Sequence, residues 1–195
     1  MDPELQKDDA PSPASAASAW QRRLAHGVVS WIGAFIVIGA TWELFAEQNL
    51  VFAFASLGGS AAIVFAMPDS PMARARSLFG GHAIASGVGL LFNATLGTDA
   101  WSIGIAMATA LVAMQLTRTI HSPAGADPII IMTAEMGPPM VMLNLAVGLA
   151  LLWFVGMVLL NVAGISPYSA RAYGVLAAAA KRAAGLVTRG RRARS

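Results

Sequence analysis

Long apolar stretches separated by short polar connectors make up most of this 195-residue chain. A helix that crosses a membrane needs about 20 apolar residues, within a range of about 17–25. The apolar stretches, named segments one to six, cover residues 27–45, 50–67, 80–96, 101–116, 122–137 and 140–165. Segment five is interrupted by Pro123, Gly125 and Pro128. The pattern predicts an all-α membrane protein with about six transmembrane segments, in which segments two and five are short or broken helices.

The positions of the basic residues predict how these segments cross the membrane. Cytoplasmic loops of membrane proteins carry an excess of Lys and Arg. Arginines precede segment one and occupy the connectors after segments two and four, at Arg22, Arg23, Arg74, Arg76 and Arg118. The connectors after segments one and three contain no basic residue. If segment five also crosses, every basic cluster lies on one side. We therefore expect six spans with both termini cytoplasmic, in a bacterial-type inner (cell) membrane.

The composition excludes a soluble protein. Hydrophobic residues make up 56% of the chain and charged residues only 12%, whereas a soluble domain carries about 25% charged residues. The mean hydropathy of +0.63 also excludes disorder over the bulk of the chain. The chain has no cysteine, so disulfides, iron–sulfur clusters and thiolate metal sites are excluded.

Two terminal regions flank a transmembrane domain that is predicted over residues 20–165. Residues 1–19 are rich in Ala, Ser and Pro and lack the basic start and cleavage site of a signal peptide, so we expect a disordered leader. Residues 166–195 carry seven basic residues and no acid. We expect this cytoplasmic tail to bind anionic lipid, as an amphipathic helix on the inner leaflet, rather than nucleic acid.

The two halves of the transmembrane domain resemble each other weakly. Residues 54–67 align with residues 120–133, with identities at Ser56/Ser122, Gly59/Gly125 and Ile63/Ile129. Three spans per repeat would invert one repeat relative to the other, which predicts two inverted three-span repeats at about 27–97 and 101–165. Inverted repeats with interrupted helices at matching positions are typical of a transport site near the bilayer midplane. The alternative is that Ala-rich helices align by chance.

Two sequence blocks carry a resemblance to a known family. Residues 117–130 read TRTIHSPAGADPII, and residues 56–86 read SLGGSAAIVFAMPDSPMARARSLFGGHAIAS. In order and spacing these blocks resemble the signature of the HPP family of integral membrane proteins, over about residues 27–162. The resemblance implies a membrane transporter or channel, since plant and cyanobacterial relatives are linked to nitrite transport. Ser122 stands where the family's His-Pro-Pro triplet has its middle Pro, which implies a looser start to the following helix or an additional donor hydroxyl.

The chemistry of the same residues predicts an anion site. Pro123 and Gly125 interrupt a helix, whereas Pro128 is tolerated in a first helical turn. A helix that begins at Ala126 or Asp127 exposes free backbone N–H groups, which together with the helix dipole favour an anion. The same groups are expected from the opposite side, at a second cluster of small residues: Ser56, Gly58, Gly59 and Ser60. Asp127 leaves two alternatives open, because it either caps the helix or makes the site suitable for a cation or a proton.

Two histidines and an arginine complete the predicted site. His121 and His82 either bind an anion when protonated, relay a proton, or form structural hydrogen bonds to the backbone near the membrane interface. Arg118 either draws anions to the cytoplasmic mouth or only anchors its loop by the positive-inside rule. His82, His121 and Asp127 supply too few ligands for a metal ion, so we expect no metal site and no cofactor.

The leading functional hypothesis is a transporter or channel for a small anion, nitrite first, in a chain that we expect to form homo-oligomers. One alternative is a non-transporting membrane module that assembles with a partner through small residues such as Ala83 and Gly87. Another is transport of a different small solute. The sequence shows no H-E-x-x-H, no paired catalytic carboxylates and no Ser-His-Asp set, so we expect no enzymatic activity. An assembly module predicts tightly filled turns, whereas a transport path predicts one cavity faced by Ser56, Gly59, Ser122, Gly125 and Asp127.

Overall fold

The structure, a computed structural model, describes residues 13–45, 51–134 and 136–165. The α-helices are α1 (Pro13–Phe45), α2 (Val51–Ala66), α3 (Ala75–Leu96), α4 (Ala100–Thr117), α5 (Asp127–Thr133), α6 (Pro138–Asn144) and α7 (Ala150–Val162). Short 3-10 helices lie at Pro71–Ala73 and Ser122–Ala126, and a π-helical turn at Leu145–Leu149 joins α6 to α7. The described residues contain no strand, which confirms the all-α prediction.

Helix α1 begins inside the region that the sequence predicts to be a disordered leader. Its first residue is Pro13, and residues 14–19 read ASAASA. Proline is favoured in a first helical turn because its missing N–H would have no partner there, and alanine has the highest helix propensity. Residues 1–12 and the predicted basic tail, 166–195, lie outside the described residues.

Helix α1 runs antiparallel to α2 and α7 around an apolar core. Near the start of α1, His26 and Ser30 donate hydrogen bonds to the carbonyl oxygen of Phe65, at 2.7 and 3.0 Å. Near its end, Thr41 lies beside Gly148. The core between these helices is formed by buried aliphatic and aromatic side chains, among them Val37, Leu57, Val64, Phe65, Leu152 and Leu160.

Helices α3 and α4 form an antiparallel hairpin that supports α5. At one end Arg76 Nη2 donates to the carbonyl oxygen of Thr117 at 2.7 Å. At the other end the Ser102 hydroxyl donates to the carbonyl oxygen of Leu96 at 3.3 Å. The chain then returns along α3, since His121 lies against Gly81 and Pro128 lies against Gly89. Residues 121–133 therefore run parallel to α3 and antiparallel to α4.

Successive segments alternate in direction, and the basic residues collect at one end. The end of α2 lies beside the start of α1, and the connectors from α2 to α3 and from α4 to α5 lie at this same end. It carries every arginine of the described residues: Arg22, Arg23, Arg74, Arg76 and Arg118. Within the part of the chain that the structure describes, three helical stretches are long and apolar enough to cross a membrane: Ala17–Phe45, Ala100–Thr117 and the stretch Pro138–Val162 that includes α6 and α7.

Segment two differs from its prediction. Helix α2 is short, as predicted, with 16 residues, but it continues through Gly58, Gly59 and Ser60 instead of breaking there. A glycine costs a helix interior only about 1 kcal/mol. That cost is offset because the neighbouring Leu57 and Val64 are buried in the core. The predicted break, and with it the predicted half-helix N-terminus in segment two, is wrong.

Segment five is interrupted, as predicted. A 3-10 helix over Ser122–Ala126 leads into α5, and the chain leaves the helix again before Pro138. Together the two short helices rise about 20 Å, which is less than the hydrocarbon thickness of about 30 Å. Their length alone therefore does not carry this segment across a membrane.

Candidate functional site

Six buried polar side chains meet where α2, α3 and the start of α5 come together. This polar cluster consists of Ser56 and Ser60 from α2, His82 and Ser86 from α3, His121 from the loop after α4, and Asp127 from α5. None of the six exposes more than 7% of its surface. Burial of polar groups is costly unless they are hydrogen-bonded, so the connections between these side chains determine what the cluster can do.

Asp127 is held by side chains from two helices. Its Oδ1 accepts a hydrogen bond from Ser56 at 2.7 Å, and its Oδ2 lies 2.8 Å from Nδ1 of His82 and 3.0 Å from the Ser86 hydroxyl. Ser56 and Ser60 are four residues apart on α2, and His82 and Ser86 are four apart on α3. Residues at this spacing share one helix face, so each helix directs two polar side chains into the cluster, of which Ser56, His82 and Ser86 contact Asp127.

Ser60 joins the two histidines. Its Oγ lies 2.9 Å from Nε2 of His82 and 2.9 Å from Nε2 of His121. Nδ1 of His121 donates to the carbonyl oxygen of Met72 at 2.9 Å. All four ring nitrogens therefore face hydrogen-bond partners. Within the described residues no group of three or more His, Asp or Glu is placed to hold a metal ion.

Glycines of α3 allow the close approach that builds the cluster. A Cβ added at Gly81 would lie 2.7 Å from Cβ of His121, and one added at Gly89 would lie 2.8 Å from Cα of Pro128. Both distances are shorter than real Cβ contacts. The absence of side chains at these two positions lets the chain before and after Asp127 lie directly against α3.

A cavity lies against the cluster. Ser56, His82, Ser86 and Asp127 form its polar wall, and the other lining residues are Leu57, Ile130, Ile131, Met136, Val141, Leu145 and Leu149. The space open to the centres of water-sized particles is about 50 Å³. Since one water needs about 10–15 Å³ of such space, the cavity suits a few waters or one small ion. Met136 and Val141 pack with Phe45 at the end of α1, so the cavity lies towards the end without arginines.

Several predicted site residues do not line this cavity. Of the five that a transport path was expected to gather, only Ser56 and Asp127 lie on its wall. Gly59 packs instead against Pro123, where an added Cβ would lie 3.2 Å from the proline Cβ. Ser122 is exposed. Gly59 therefore serves helix packing and does not provide a place where an ion approaches the backbone.

Four further predicted residues lie beside the cluster without joining it. Gly58 and Gly125 face open space, since no atom lies within 4 Å of a Cβ added at either position. Ala126 is half-buried and packs near Ile130. Arg118 is exposed and ends α4 in a left-handed conformation, with φ of 56°. It marks the end of a helix and does not contribute to the cavity wall.

The predicted pair of facing half-helix N-termini is wrong. Helix α2 has no N-terminus near Gly58, and α5 begins at Asp127, whose negative carboxylate disfavours a second anion there. The described structure shows no bond from this carboxylate to a backbone N–H of α5, so the helix-capping alternative does not hold. Asp127 acts instead as the central acceptor of the cluster, through Ser56, His82 and Ser86.

Two members of this network are absent from the sequence-based prediction. Ser86 is one, although its position four residues after His82 on the same helix face provides a signal that could have identified it. The carbonyl oxygen of Met72 is the other. No sequence pattern indicates it, because a backbone acceptor is defined only once the 3-10 helix Pro71–Ala73 is positioned against His121.

The structure also corrects the expectation that no Ser-His-Asp set is present. Ser60, His82 and Asp127 have the hydrogen-bond connectivity of a nucleophile, a base and an orienting acid. A nucleophile must reach its substrate, however, and Ser60 is fully buried, lies outside the cavity wall and also contacts His121. This arrangement suits proton exchange between side chains better than attack on a substrate.

Comparison with known proteins identifies the family. A family model described as the HPP transmembrane region matches residues 20–169 of the chain. This chain belongs to the HPP family. The polar cluster lies wholly inside the matched region of this HPP-family protein, as do all the helices from α2 to α7.

Two proteins of Dictyostelium discoideum, each described as a transmembrane protein, are similar to this HPP-family chain. One is 32% identical over 111 residues, which cover 54% of this chain and 36% of the relative. The other is 37% identical over 87 residues, which cover 43% of this chain and 30% of the relative. The chain thus matches only about a third of the length of these relatives. No solved structure matches the chain.

Proposed function

We propose that this HPP-family chain is a transporter or channel for a small monovalent anion, with nitrite as the first candidate, and that the cavity beside the polar cluster is its binding site. The observation that carries the proposal is the cavity itself, which combines apolar walls with one wall of four convergent polar side chains. Sites for small ligands are concave, largely apolar and lined by a few placed polar groups. Ionisable residues inside a membrane protein mark ion and proton pathways by default.

The charge of the polar wall favours an anion only when the cluster is protonated. The Asp127 carboxylate alone repels an anion. An imidazolium at His82, 2.8 Å from Oδ2, cancels that charge as an ion pair. The hydroxyls of Ser56 and Ser86 also donate to the carboxylate. The cluster in this state is neutral and does not repel a small anion in the cavity, and further protonation strengthens anion binding.

The orientation of the chain follows from its arginines. We place the end that carries all described arginines in the cytoplasm, by the positive-inside rule. With alternating segments, both ends of the chain are then cytoplasmic, in a bacterial-type inner membrane, and the basic tail meets anionic lipid. The contact between Ser56 and the Pro123 carbonyl oxygen, at 3.0 Å, supports a six-segment inverted repeat because it joins the two segments that the repeat pairs. Homo-oligomerisation completes the proposed assembly.

The experiment is anion flux into proteoliposomes that hold the purified, folded protein. Nitrite, nitrate, formate and chloride are compared in turn with empty liposomes. Asp127→Ala removes the central acceptor of the polar wall, and Ser77→Ala is the matched control, since Ser77 is a buried serine of α3 outside the cluster. Protein-dependent nitrite flux that is lost in Asp127→Ala and kept in Ser77→Ala supports the proposal.

The remaining outcomes separate the alternatives. Flux of another solute through the same Asp127-dependent path retains transport and replaces nitrite. Absence of flux for every anion from folded protein contradicts the proposal. That result favours an assembly module, for which Ala83 and Gly87 are available because both are exposed on α3.

A further inference from the structure

The two buried histidines share a single hydroxyl group. Ser60 Oγ lies 2.9 Å from Nε2 of both His82 and His121. Ser60 Oγ also lies 2.9 Å from the carbonyl oxygen of Ser56, so its single hydrogen has three acceptors within reach, namely this oxygen and the two ring nitrogens. The hydroxyl therefore donates to at most one of the two nitrogens. At least one nitrogen must carry a hydrogen of its own and donate it to Ser60 Oγ.

The Nδ1 atoms of His82 and His121 restrict further how many protons the cluster can hold. Nδ1 of His121 faces the Met72 carbonyl oxygen, which only accepts, so this nitrogen carries a hydrogen. Nδ1 of His82 faces Oδ2 of Asp127, which also only accepts while the carboxylate is ionised. With Asp127 ionised, at least one of the two rings therefore carries hydrogens on both nitrogens. While the Ser60 hydroxyl donates to the other ring, the cluster holds one mobile proton and has no net charge.

Ser60 provides a balanced route for that proton between the rings. The Nε2–H bond of His82 breaks and its proton passes to Ser60 Oγ, while Ser60 passes its own proton to Nε2 of His121. His82 becomes neutral and His121 becomes the imidazolium, and the hydroxyl is regenerated. No further reactant is needed, because the total number of protons in the cluster is unchanged.

Ser56 accommodates a second proton, on Asp127. Its Oγ lies 2.7 Å from Oδ1 of Asp127 and 3.0 Å from the carbonyl oxygen of Pro123. While Asp127 is ionised, Ser56 donates to Oδ1. When Oδ1 gains a proton from the cavity, Ser56 accepts that hydrogen and donates its own to Pro123. Both protonation states of Asp127 are therefore fully hydrogen-bonded without movement of the backbone.

We infer that the polar cluster is a proton store that couples transport of the anion to one proton. The inference rests on the proposed function. In the loaded state one proton is on His121 and a second is on Asp127. The cluster then carries one positive charge on a ring outside the cavity wall, which is linked to the wall through Ser60 and His82. A monovalent anion in the cavity neutralises that charge, and the anion and the second proton leave together.

Among the described residues, the hydrogen bonds of the cluster involve no other titratable side chain. The wall opposite the cluster is apolar, formed by α5, α6 and the π-helical turn before α7. The nearest described charges along the chain are exposed and lie on the connectors at the arginine-rich end: Asp69, Arg74, Arg76 and Arg118. The proton therefore exchanges through His82 and Asp127, which line the cavity, while the fully buried His121 is the inner end of the store.

The test follows charge and protons during nitrite flux into proteoliposomes. A potassium gradient with valinomycin sets the membrane potential, and an internal pH dye reports protons. A potential of about 60 mV changes the equilibrium accumulation of a lone monovalent anion about tenfold. The inference predicts protein-dependent flux that is insensitive to this potential and carries one proton per nitrite. Flux that follows the potential without proton movement overturns the inference and leaves the proposed function intact.

Replacement of Ser60, whose hydroxyl bridges the two rings, is the decisive test of the route. Ser60→Ala removes the route between the rings, and we expect proton-coupled flux to fall about 100-fold, the lower range for a positioned proton-transfer group. Ser77→Ala is expected to stay within about twofold of the unmodified protein, as is usual away from such features. Unchanged coupling in Ser60→Ala overturns the inference.

Infrared difference spectroscopy detects protonation of Asp127 without measuring transport. Addition of nitrite to the purified protein is expected to produce a protonated-carboxyl band that is absent in Asp127→Asn. The band without anion flux supports the proton store and contradicts the proposed transport. Absence of both the band and the flux contradicts the inference and the proposed function together. Flux without the band contradicts the inference alone.

Discussion

Oδ2 of Asp127 lies 2.8 Å from Nδ1 of His82, and this contact joins the start of α5 to α3 across 45 positions of the chain. Both side chains are buried. Two charges removed from water stabilise a fold only when each is paired and hydrogen-bonded, and loss of one partner leaves the other uncompensated. The pair therefore links the position of α5 to the chemistry of the cavity.

Asp127→Ala is expected to destabilise the protein by about 3–5 kcal/mol, the usual cost of removing one partner of a buried pair. The double variant Asp127→Ala with His82→Leu should lose less than the sum of the two single variants, because neither charge then remains unpaired. Unfolding in a fixed detergent measures each free energy. Additive losses would show that the two residues do not interact in the protein.

Gly89→Ala is expected to displace α5, because the new methyl group would lie 2.8 Å from Cα of Pro128 and the backbone cannot move aside locally. Loss of thermal stability and of flux should occur together, since Pro128 follows Asp127 directly. Gly87→Ala on the same helix is the control, because an added Cβ there meets no atom within 4 Å. Equal behaviour of the two variants would contradict the close approach of α3 and α5.

Hydropathy and the spacing of helix breakers were sufficient to predict an all-α chain and the interruption at Pro123 and Pro128, because both features are local. The continuity of α2 was not predictable in the same way. Whether a Gly-Gly pair breaks a helix depends on what its neighbours bury, and Leu57 and Val64 are buried against helices distant in sequence.

Which residues form the site was easier to predict than how their side chains are hydrogen-bonded to one another. The sequence places Ser56 and Ser60 in the small-residue cluster of segment two, and His82, His121 and Asp127 in the two blocks that resemble the HPP family. Their arrangement as a hydrogen-bonded network was not predictable, because it depends on the register of α2 and α3 and on the approach of the loop to Gly81. The anion-binding N-termini were inferred from glycines that the structure uses for packing or leaves open.

Ser60 is expected to remain unlabelled by a serine-reactive fluorophosphonate, despite its hydrogen bond to His82. Its side chain is fully buried and lies off the cavity wall, so the reagent cannot reach Oγ. Mass spectrometry of the treated, folded protein measures the modification. Selective labelling at Ser60 would establish a nucleophile and favour an enzymatic function.

Asp99 is expected to make the stability of α4 depend on pH. Its carboxylate accepts hydrogen bonds from the hydroxyl and the backbone N–H of Ser102 and from the N–H of Trp101, and the Ser102 hydroxyl is the main cause that lowers the pKa of Asp99. A carboxyl whose pKa is lower in the folded state stabilises above its unfolded pKa, and this contribution disappears as pH falls through the folded value.

The difference in melting temperature between the unmodified protein and Asp99→Ala should therefore be largest at neutral pH and decrease below about pH 4. Intrinsic tryptophan fluorescence, to which Trp101 at the start of α4 contributes, follows the transition. Glu43→Ala, which removes an exposed acid near the end of α1, is the control and should show no such difference. A constant difference at every pH would mean that the ionised carboxylate is not what caps the helix.

Leu145→Phe is expected to block the cavity while the fold is kept. Leu145 lies on the cavity wall, in the π-helical turn that joins α6 to α7, and a larger ring there fills space that the anion requires. Overpacking costs about 1–3 kcal/mol, so nitrite flux should fall by far more than the melting temperature changes. Leu143→Phe is the matched control because Leu143 is exposed on α6. Flux that survives in Leu145→Phe would place the ion path outside this cavity, whereas loss in Leu145→Phe alone would place the path through the cavity that Leu145, Asp127 and His82 line.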